Sequence, residues 1–501
     1  MTDSQPLEER PVNRTSFGGD ILKVASGTTI AQALNVLSAP LLAWLFAPEA
    51  FGIFTLFYSI TGVLVMFFTL QYELAIMLPK QDEDAVNLVA GSLGIATFFS
   101  LLLVPVIGLM GPTLAGWLNA PQLSDYLWLV PLVLFFGGLS AGHPVLNAWA
   151  GRTRNFAQVA STQVTGSVVS VAGRVVAGLS GFNSGGGLIV GNLAGSIISP
   201  VLLGWQVWRR DGRLFLDNVR WRKIWENLKR YRKFAIFNTP SALLNNISWQ
   251  VPSFLLSAFF SPTVVGYYAF GNQLLRVPMS LVGGSIAQAF FAHAATANQE
   301  GTLAEFVENT FRRLVEYSFF PILMLAMVSR ELFVVIFGSG WAEAGVYTQI
   351  LSLWMVFWFV SSPMSRLYSV LERNELSFGL NTAIFITRVL SIWVGGVMGS
   401  PRIALLLFSL SGAVLYGYLS VSIILLSGVS WRRIGRILFE NIAVFVPVAG
   451  VMFLLKLPVV PDWVQVVVAI LFVGIYYLYR LNREGYLKKF LLKMTGGKSA
   501  V

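Results

Sequence analysis

The chain has 501 residues, of which 55% are hydrophobic and only 12% are charged. Ordinary soluble domains carry about 25% charged residues, so this chain has too few polar groups to cover a water-soluble surface. It contains no cysteine and only two histidines, which excludes a disulfide framework and a zinc site of the Cys/His kind. The formal net charge is +11, but the basic residues gather at the ends of apolar segments, so no nucleic-acid partner is expected. The composition predicts an integral membrane protein.

Fourteen apolar segments follow one another along the chain. Each is long enough to cross about 30 Å of hydrocarbon as a helix of about 20 residues. Runs such as "VQVVVAILFVGIYYLY" do not alternate between apolar and polar residues, which argues against a transmembrane β-barrel. The predicted fold is an all-α integral membrane protein with fourteen transmembrane helices. They cover residues 21–46, 52–78, 86–111, 123–150, 157–179, 185–208, 234–260, 264–292, 311–336, 344–369, 376–398, 402–427, 438–456 and 461–481.

The positions of lysine and arginine predict how the chain is oriented. Short cytoplasmic loops are enriched in these residues. With the N-terminus inside, the cytoplasmic side receives nearly all of them, whereas the outer side receives only Arg330, Arg402 and Lys456. Both termini are therefore predicted to be cytoplasmic. The polar first residues lead into a full-length span, so no secretory signal peptide is expected.

The loop at residues 209–233 contains ten basic residues. Its apolar residues recur at helical spacing, with cations between them, at Trp221, Ile224, Trp225, Leu228 and Tyr231. This pattern is typical of an amphipathic helix that lies on the anionic lipids of the inner leaflet. The alternative is a charged linker that only fixes the topology.

The sequence contains an internal repeat. "LLAWLFAPEAFGIF" at residues 41–54 aligns without a gap with "LLSAFFSPTVVGYY" at residues 255–268. The alignment pairs Pro48 with Pro262 and Gly52 with Gly266. A weaker match aligns "LNAWAGRTRN" with "LYSVLERNEL" and pairs Arg152 with Arg373.

The repeat predicts two six-helix lobes. Because each half has an even number of spans, the lobes should share one orientation and be related by a pseudo-two-fold axis along the membrane normal. This parallel repeat is typical of alternating-access transporters, with the transport site between the lobes. The predicted parts are a cytoplasmic N-terminal segment, a first lobe, a basic cytoplasmic loop, a second lobe, a final helix pair and a basic cytoplasmic tail. They occupy residues 1–20, 21–208, 209–233, 234–427, 438–481 and 482–501.

Four ionisable residues lie deep within the predicted spans, namely Arg174, Arg276, Arg388 and Glu73. A charged side chain there costs about 2.5–3.5 kcal/mol on insertion scales, so each needs a partner or a water-filled cavity. Either the arginines bind carbonyl groups and bridge helices, or they line a cavity whose unbalanced positive charge binds an anionic substrate. A guanidinium group matches phosphate oxygens through forked hydrogen bonds.

The repeat favours a substrate site over a structural role for these arginines. At the registers of the two matches, small residues fall opposite them: Gly62 opposite Arg276, Ser167 opposite Arg388 and Gly395 opposite Arg174. A scaffold that was duplicated without the arginines does not need them to fold. We therefore expect Arg276, Arg388 and Arg174 to bind an anionic substrate.

Further polar and aromatic residues are candidates for supporting roles. Glu73 could form an ion pair with an arginine, or take up H⁺ or Na⁺ and so couple transport to an ion gradient. Asp20, Lys23 and Arg366 lie near the cytoplasmic mouth, where they could receive substrate or serve as interfacial anchors. The aromatic stretch "LWMVFWFV" in segment ten could stack on sugar rings or pack against neighbouring helices and lipid.

Several stretches resemble a known family. "LQYELAIMLPKQDEDAVNL", "RYRKFAIFNTPSALLNNISWQVPSFLLS" and "VVGYYAFGNQLLRVPMSLVGGSIAQAFF" are similar to polysaccharide-biosynthesis flippases of the Wzx type, in the multidrug/oligosaccharidyl-lipid/polysaccharide exporter superfamily. The resemblance implies a multi-pass protein of the bacterial inner membrane. Such a protein moves undecaprenyl-diphosphate-linked oligosaccharide, a repeat unit of O-antigen, capsule or exopolysaccharide, from the cytoplasmic to the periplasmic leaflet.

The resemblance also assigns roles to parts of this chain. It makes Arg276 the first candidate to bind the diphosphate, and segments thirteen and fourteen the guide for the polyprenyl tail. It implies H⁺ or Na⁺ coupling as an option and no other cofactor. A glycan polymerase and other assembly proteins are possible partners.

Four alternatives remain open from the sequence. A cation-coupled multidrug exporter of the same superfamily would need carboxylates in its cavity. A peptidoglycan lipid flippase would have the same fold and an anionic cargo as well. A polymerase or ligase would need a long outer loop, but the longest here, residues 112–122, contains no ionisable residue. A scaffold for glycan assembly would leave the arginines unexplained. No G-x-x-x-x-G-K-[ST] loop occurs, so ATP is not the direct fuel, and no enzymatic activity is expected.

Overall fold

The computed structural model describes residues 14–137, 143–456 and 460–483, with the backbone alone at 14–26, 278–289 and 292. Within this part the chain forms eighteen α-helices and no strand. They are α1 (Arg14–Leu45), α2 (Pro48–Thr69), α3 (Asp82–Trp117), α4 (Ser124–Leu127), α5 (Val130–Phe135), α6 (Pro144–Arg152), α7 (Phe156–Leu179), α8 (Gly185–Asn218), α9 (Trp221–Arg230), α10 (Thr239–Phe259), α11 (Pro262–Glu300), α12 (Leu303–Phe337), α13 (Ala342–Met364), α14 (Leu367–Val370), α15 (Asn374–Val397), α16 (Pro401–Leu426), α17 (Trp431–Leu455) and α18 (Asp462–Arg483). Short 3₁₀ or π-helical turns lie at Tyr72–Met77, Pro121–Leu123, Phe234–Asn238 and Ser339–Trp341. Most of the predicted N-terminal segment and basic tail falls outside the described residues.

All fourteen predicted segments overlap with helices of the described residues. Ten stretches of the described part are long and apolar enough to cross a membrane. They are the Gly27–Leu45 part of α1, α2, α3, α8, α12, the Ser339–Val370 stretch around α13, and α15, α16, α17 and α18. The fold is therefore that of a multi-pass membrane protein, and the count of fourteen spans stays a prediction.

Three predicted segments differ from single continuous helices. Segment ten is interrupted at Ser365 and Arg366, between α13 and α14. Segment two stops early, because α2 ends at Thr69 and both Leu70 and Gln71 adopt left-handed backbone conformations, with φ of 47° and 59°. Segment four is divided into α4, α5 and α6. Pro144 begins α6, where a proline fits because its missing amide proton needs no partner in a first helical turn.

The loop at residues 209–233 is largely helical. It contains the end of α8 and the amphipathic helix α9, whose Ile224 and Leu228 face α3. An added Cβ at Gly91 of α3 would lie 3.1 Å from Cγ2 of Ile224, so the two helices pack closely. Trp221 and Trp225 lie on the adjoining part of the same helical face and remain 82% and 65% exposed. The helix thus buries part of its apolar surface against protein, which the sequence pattern did not predict, and leaves its tryptophans outward.

The repeat is visible in the way two helices cross. Here the first half means residues 14–218 and the second half residues 239–426. A Cβ added to Gly52 would lie 1.7 Å from the carbonyl oxygen of Pro262, and one added to Gly266 would lie 1.9 Å from that of Pro48. The paired residues of the stronger sequence match therefore contact each other reciprocally, with α2 and α11 in backbone contact.

Hydrogen bonds reinforce this crossing on the same side of the molecule. Side-chain nitrogens of one half donate to carbonyl oxygens of the other in three pairs: Trp341 Nε1 to Ala43 (3.0 Å), Trp44 Nε1 to Ile336 (3.1 Å) and Asn119 Nδ2 to Phe260 (2.8 Å). We call these contacts and the Gly52 and Gly266 crossing the short-loop seam, since they lie where α1 meets α2 and α10 meets α11. The opposite side, where α2 meets α3 and where α9 lies, is called the basic face. The short-loop seam holds the two halves together at one end.

The turns before and after α7 and α15 correct the weaker sequence match. Arg154 and Glu372 each precede their helix with φ of 55°, and Gly181 and Gly399 follow with φ of 86° and 68°. Both helices have 24 residues. The structure therefore pairs Arg154 with Glu372, three positions from the register that pairs Arg152 with Arg373. The register from the sequence match was wrong because it aligned similar residue types. The left-handed turn, which fixes where each helix begins, gives the register of the structure.

We predict that Gly266→Leu destabilises the protein strongly, because its side chain would occupy the carbonyl of Pro48. Overpacking typically costs about 1–3 kcal/mol, and here the obstacle is backbone. Thermal unfolding in detergent, followed by size-exclusion chromatography, measures the change. Gly94→Leu on α3 is the matched control, since an added Cβ there meets nothing within 4 Å. Equal melting temperatures for the two variants would contradict the close crossing.

Candidate functional site

Two deep arginines of the second half share one indole ring. The guanidinium carbons of Arg276 on α11 and Arg388 on α15 lie 4.2 Å and 4.3 Å from the ring centroid of Trp249 on α10. At such distances a cation is attracted to the negative face of an aromatic ring. One tryptophan thus holds two cations as neighbours in the interior of the helix bundle.

Arg388 connects three helices of the second half. Its Nη1 lies 3.1 Å from Oγ of Ser248 on α10, and its Nη2 donates to the hydroxyl of Tyr416 on α16 at 2.8 Å. Only 5% of the residue is exposed. These bonds join three helices through one guanidinium group, which fits the structural interpretation of this arginine in addition to any role with substrate.

Arg276 has fewer partners. Its Nε is buried and has no hydrogen-bond partner, and its second aromatic neighbour is Trp358 on α13, with the guanidinium carbon 5.7 Å from the ring centroid. A buried donor without a partner costs about 1–3 kcal/mol, so a bound group or water is needed to satisfy it. Of the three arginines, Arg276 is the one left open for a ligand.

In the first half, Arg174 is bound by oxygen atoms. Its Nη2 donates to Oδ1 of Asn35 on α1 at 2.7 Å, and its Nε donates to the carbonyl of Ser170 at 3.1 Å. Nearby, Asn192 on α8 forms a short hydrogen bond with the hydroxyl of Tyr58 on α2. Arg174 therefore has a polar first-half setting instead of an aromatic one.

Residues that contact two of the arginines, and not the arginines themselves, occupy corresponding positions in the two halves. In the register of Pro48 and Pro262, Asn35 corresponds to Trp249, and these are the residues that contact Arg174 and Arg388. In the register of the turns, Arg388 falls opposite Ser170, one helical turn from Arg174. At the same register Arg174 falls opposite Ile392, so neither arginine has an arginine counterpart in the other half.

None of the three guanidinium groups has a carboxylate partner among the described residues. Ion pairs do form elsewhere: Arg152 with Asp82 at 2.8 Å, Arg402 with Glu343 at 2.6 Å and Arg480 with Glu316 at 2.7 Å. The interior positive charge is therefore not balanced by protein carboxylates in the described part of the chain. An anionic ligand is the group that this arrangement would stabilise most.

The remaining candidate residues lie away from this cluster. Glu73 follows α2 in the 3₁₀ turn, with its Oε2 buried and without a partner, and no described basic residue pairs with it. Arg366 is exposed between α13 and α14 on the basic face. Asp20 and Lys23 fall within the backbone of α1, but their side chains lie outside the described residues. Among the described side chains, neither Glu73 nor Arg366 forms a hydrogen bond or ion pair with the arginines.

Sequence reasoning missed Trp249 as a central residue. It lies between Asn246 and Pro252 in a span whose sequence has no pattern that marks a site. Its role depends on two arginines from other helices. The quoted aromatic stretch of segment ten does contribute: Trp354 and Trp358 lie 6.5 Å and 6.0 Å from Trp249, between ring centroids. Spacing within one helix gave no signal for a contact among three helices.

This arrangement of membrane helices is shared with known transporters. The chain aligns with a structure titled "Lipid II flippase MurJ, inward closed conformation" at a TM-score of 0.70 and 13% identity, over 92% of this chain and 99% of that one. An inward-facing multidrug transporter of the MOP superfamily matches at a TM-score of 0.57 and 14% identity, over 80% of this chain and 96% of that one. At these identities the likeness shows the fold alone, which is that of MOP superfamily transporters.

The sequence places the chain within a family. Residues 41–346 match the family described as "Polysaccharide biosynthesis protein", and the chain belongs to that family. A relative is the "Teichuronic acid biosynthesis protein TuaB" of Bacillus subtilis (strain 168), 21% identical over 204 residues, which is 40% of this chain and 41% of that protein. The chain thus aligns with less than half the length of this relative. The resemblance inferred from the sequence motifs is confirmed.

We predict that Arg388→Gln lowers stability more than Arg276→Gln does. The first change removes charge-assisted bonds that join three helices, for which a loss of about 2 kcal/mol or more is expected, whereas the second removes mainly a contact with indole rings. Melting curves of the two purified variants in one detergent give the comparison. A larger loss of stability for Arg276→Gln would contradict this assignment, in which Arg388 has the structural role and Arg276 is available to a ligand.

Proposed function

We propose that this protein is a flippase for undecaprenyl-diphosphate-linked oligosaccharide. It moves the lipid from the cytoplasmic to the periplasmic leaflet of the bacterial inner membrane by alternating access, with fourteen spans in two six-helix lobes and a final pair, and both termini inside. The observation that carries the proposal is the group of interior arginines without carboxylate partners. Membership of a polysaccharide biosynthesis family and the MOP fold support it.

The physical need for such a protein lies in the head group. A glycan has many hydroxyl groups, each of which would lose water hydrogen bonds in hydrocarbon at a cost of order several kcal/mol. A hydrated cleft lined by Arg276, Arg388 and Arg174 would remove that barrier and bind the diphosphate through forked hydrogen bonds. Because the short-loop seam is closed, the cleft would have to open on the basic face, which is the cytoplasmic side in the predicted orientation.

An apolar groove on the helix that carries Arg276 suits the lipid tail. A cavity of about 370 Å³ lies between α11, α12 and α18, lined by residues that include Leu274, Val277, Pro321, Leu325, Val466 and Ile470. Leu274 and Val277 belong to α11, the helix that also carries Arg276, although Arg276 itself does not line the groove. A tail in the groove and a diphosphate at Arg276 would therefore contact different faces of one helix. The final helix pair would thus guide the tail while the head group stays in the cleft.

The multidrug exporter is the weaker alternative, since cationic drugs would be repelled by arginines without carboxylate partners. A peptidoglycan lipid flippase remains the second candidate, favoured by the match to the MurJ structure over nearly the whole chain. Coupling to H⁺ or Na⁺ through Glu73 is part of the proposal. Its buried, unpartnered carboxylate oxygen would accept a cation.

We predict that Arg276→Ala and Arg276→Lys both reduce export, because neither side chain offers a guanidinium fork. Surface polysaccharide should fall and the lipid-linked intermediate should accumulate several-fold in cells that depend on this protein. Arg436→Ala on α17 is the matched control, since Arg436 is exposed. Export at the wild-type level by both variants, with normal membrane insertion, would reject the proposed role.

Alternating access predicts that the short-loop seam must open. The chain has no cysteine, so Asn119→Cys with Phe260→Cys introduces one defined pair across the seam. A short thiol-reactive cross-linker should stop export, and each single variant treated in the same way should remain active. Undiminished export by fully cross-linked protein would show that the seam stays closed during transport.

A further inference from the structure

Three tryptophans form a cluster beside Arg276. Trp249 on α10 and Trp354 and Trp358 on α13 lie with their ring centroids 6.0 Å to 6.5 Å apart in each pair. Trp354 is buried, whereas Trp249 and Trp358 are half-buried. We call these three residues the tryptophan cluster. It lies between the helices that carry the two arginines of the second half.

Unpartnered polar atoms accompany the cluster. The buried Nε1 of Trp354, Oδ1 of Asn272 and Nε of Arg276 have no hydrogen-bond partner. Asn272 and Arg276 lie one turn apart on α11, on the same side of the helix. Buried polar groups in native proteins are almost always bonded, so donors and acceptors left over near one cluster point to a ligand with hydroxyl groups or to bound water.

The tryptophans differ in their contacts with the arginines. Trp249 is in close contact with the guanidinium groups of Arg276 and Arg388, so it stabilises both in their positions. Trp358 lies further from Arg276, with the guanidinium carbon 5.7 Å from its ring centroid, and has no close contact with Arg388 among the described residues. Holding the cations therefore explains Trp249 better than it explains Trp358.

We infer that the tryptophan cluster is a sugar-binding subsite, in which Trp358 stacks on the first sugar of the glycan while Arg276 binds the neighbouring diphosphate. The inference rests on the proposed function. The C–H face of a sugar ring is apolar and packs on an aromatic face, while its hydroxyl groups need donors and acceptors. In a diphosphate-linked saccharide the first sugar is bonded directly to phosphate, so its ring lies next to the anion, as Trp358 lies next to Arg276.

This arrangement would let the protein distinguish loaded carrier lipid from empty carrier lipid. Undecaprenyl diphosphate without sugar offers the same anion and the same tail, and it would bind the arginines and the groove alone. Only the loaded lipid would also contact Trp358 and satisfy Asn272 and Trp354. The subsite would therefore add selectivity for cargo that carries a glycan.

The test compares two lipids on the full-length protein in lipid nanodiscs. One is the lipid-linked oligosaccharide purified from cells that lack this protein, and the other is undecaprenyl diphosphate. Trp358→Leu should weaken binding of the first about tenfold and leave binding of the second within about twofold. Arg276→Gln should weaken both. Trp393→Leu on α15 is the matched control, because Trp393 is 52% exposed and should change neither affinity.

Each other outcome decides against the inference. If Trp358→Leu weakens both lipids equally, the indole only supports the arginine, and if it weakens neither, no sugar contacts it. Trp358→Phe, which keeps an aromatic face, should retain most of the selectivity and serves if the leucine variant misfolds. A wild-type protein that binds empty carrier as tightly as loaded carrier overturns the subsite alone, whereas one that binds neither lipid overturns the proposed function as well.

Discussion

The structure depends on how three guanidinium groups are kept inside a helix bundle without carboxylate partners. Each would cost about 2.5–3.5 kcal/mol in bare hydrocarbon. The protein reduces that cost with indole faces, amide and hydroxyl oxygens, and backbone carbonyls, none of which cancels the charge. The net positive charge therefore remains available to a ligand, and it is the feature from which the proposed anionic cargo follows.

The two halves solve this problem differently on similar backbones. Asn35 and Trp249 occupy corresponding positions, yet one offers Arg174 an amide oxygen at 2.7 Å and the other offers two arginines an aromatic ring. An amide oxygen fixes a guanidinium group in one geometry, whereas a ring face does not occupy its N–H groups. Arg388 directs its N–H groups to Ser248 and Tyr416, and the Nε of Arg276 has no partner. The first half therefore binds Arg174 in a fixed geometry, whereas the second half leaves Arg276 available to a ligand.

The sequence predicted what depends on local composition. The apolar segments and the amphipathic helix α9 follow from hydropathy, and the equivalence of Pro48 with Pro262 follows from a gapless repeat. The structure contains the helices and places Pro48 and Pro262 in equivalent contacts with Gly266 and Gly52. What it could not predict depends on helices meeting in space. Glu73 leaves its span because two residues adopt left-handed conformations, and Trp249 becomes central only because Arg276 and Arg388 approach it.

The central claim is that the interior positive charge serves an anionic head group, and transport in reconstituted vesicles tests it most directly. The measurement compares an undecaprenyl-diphosphate-linked oligosaccharide with an analogue that joins the same glycan and tail through an uncharged linkage. The account predicts that the protein moves the diphosphate lipid between leaflets and leaves the neutral analogue where it is. Equal rates for the two lipids would contradict it.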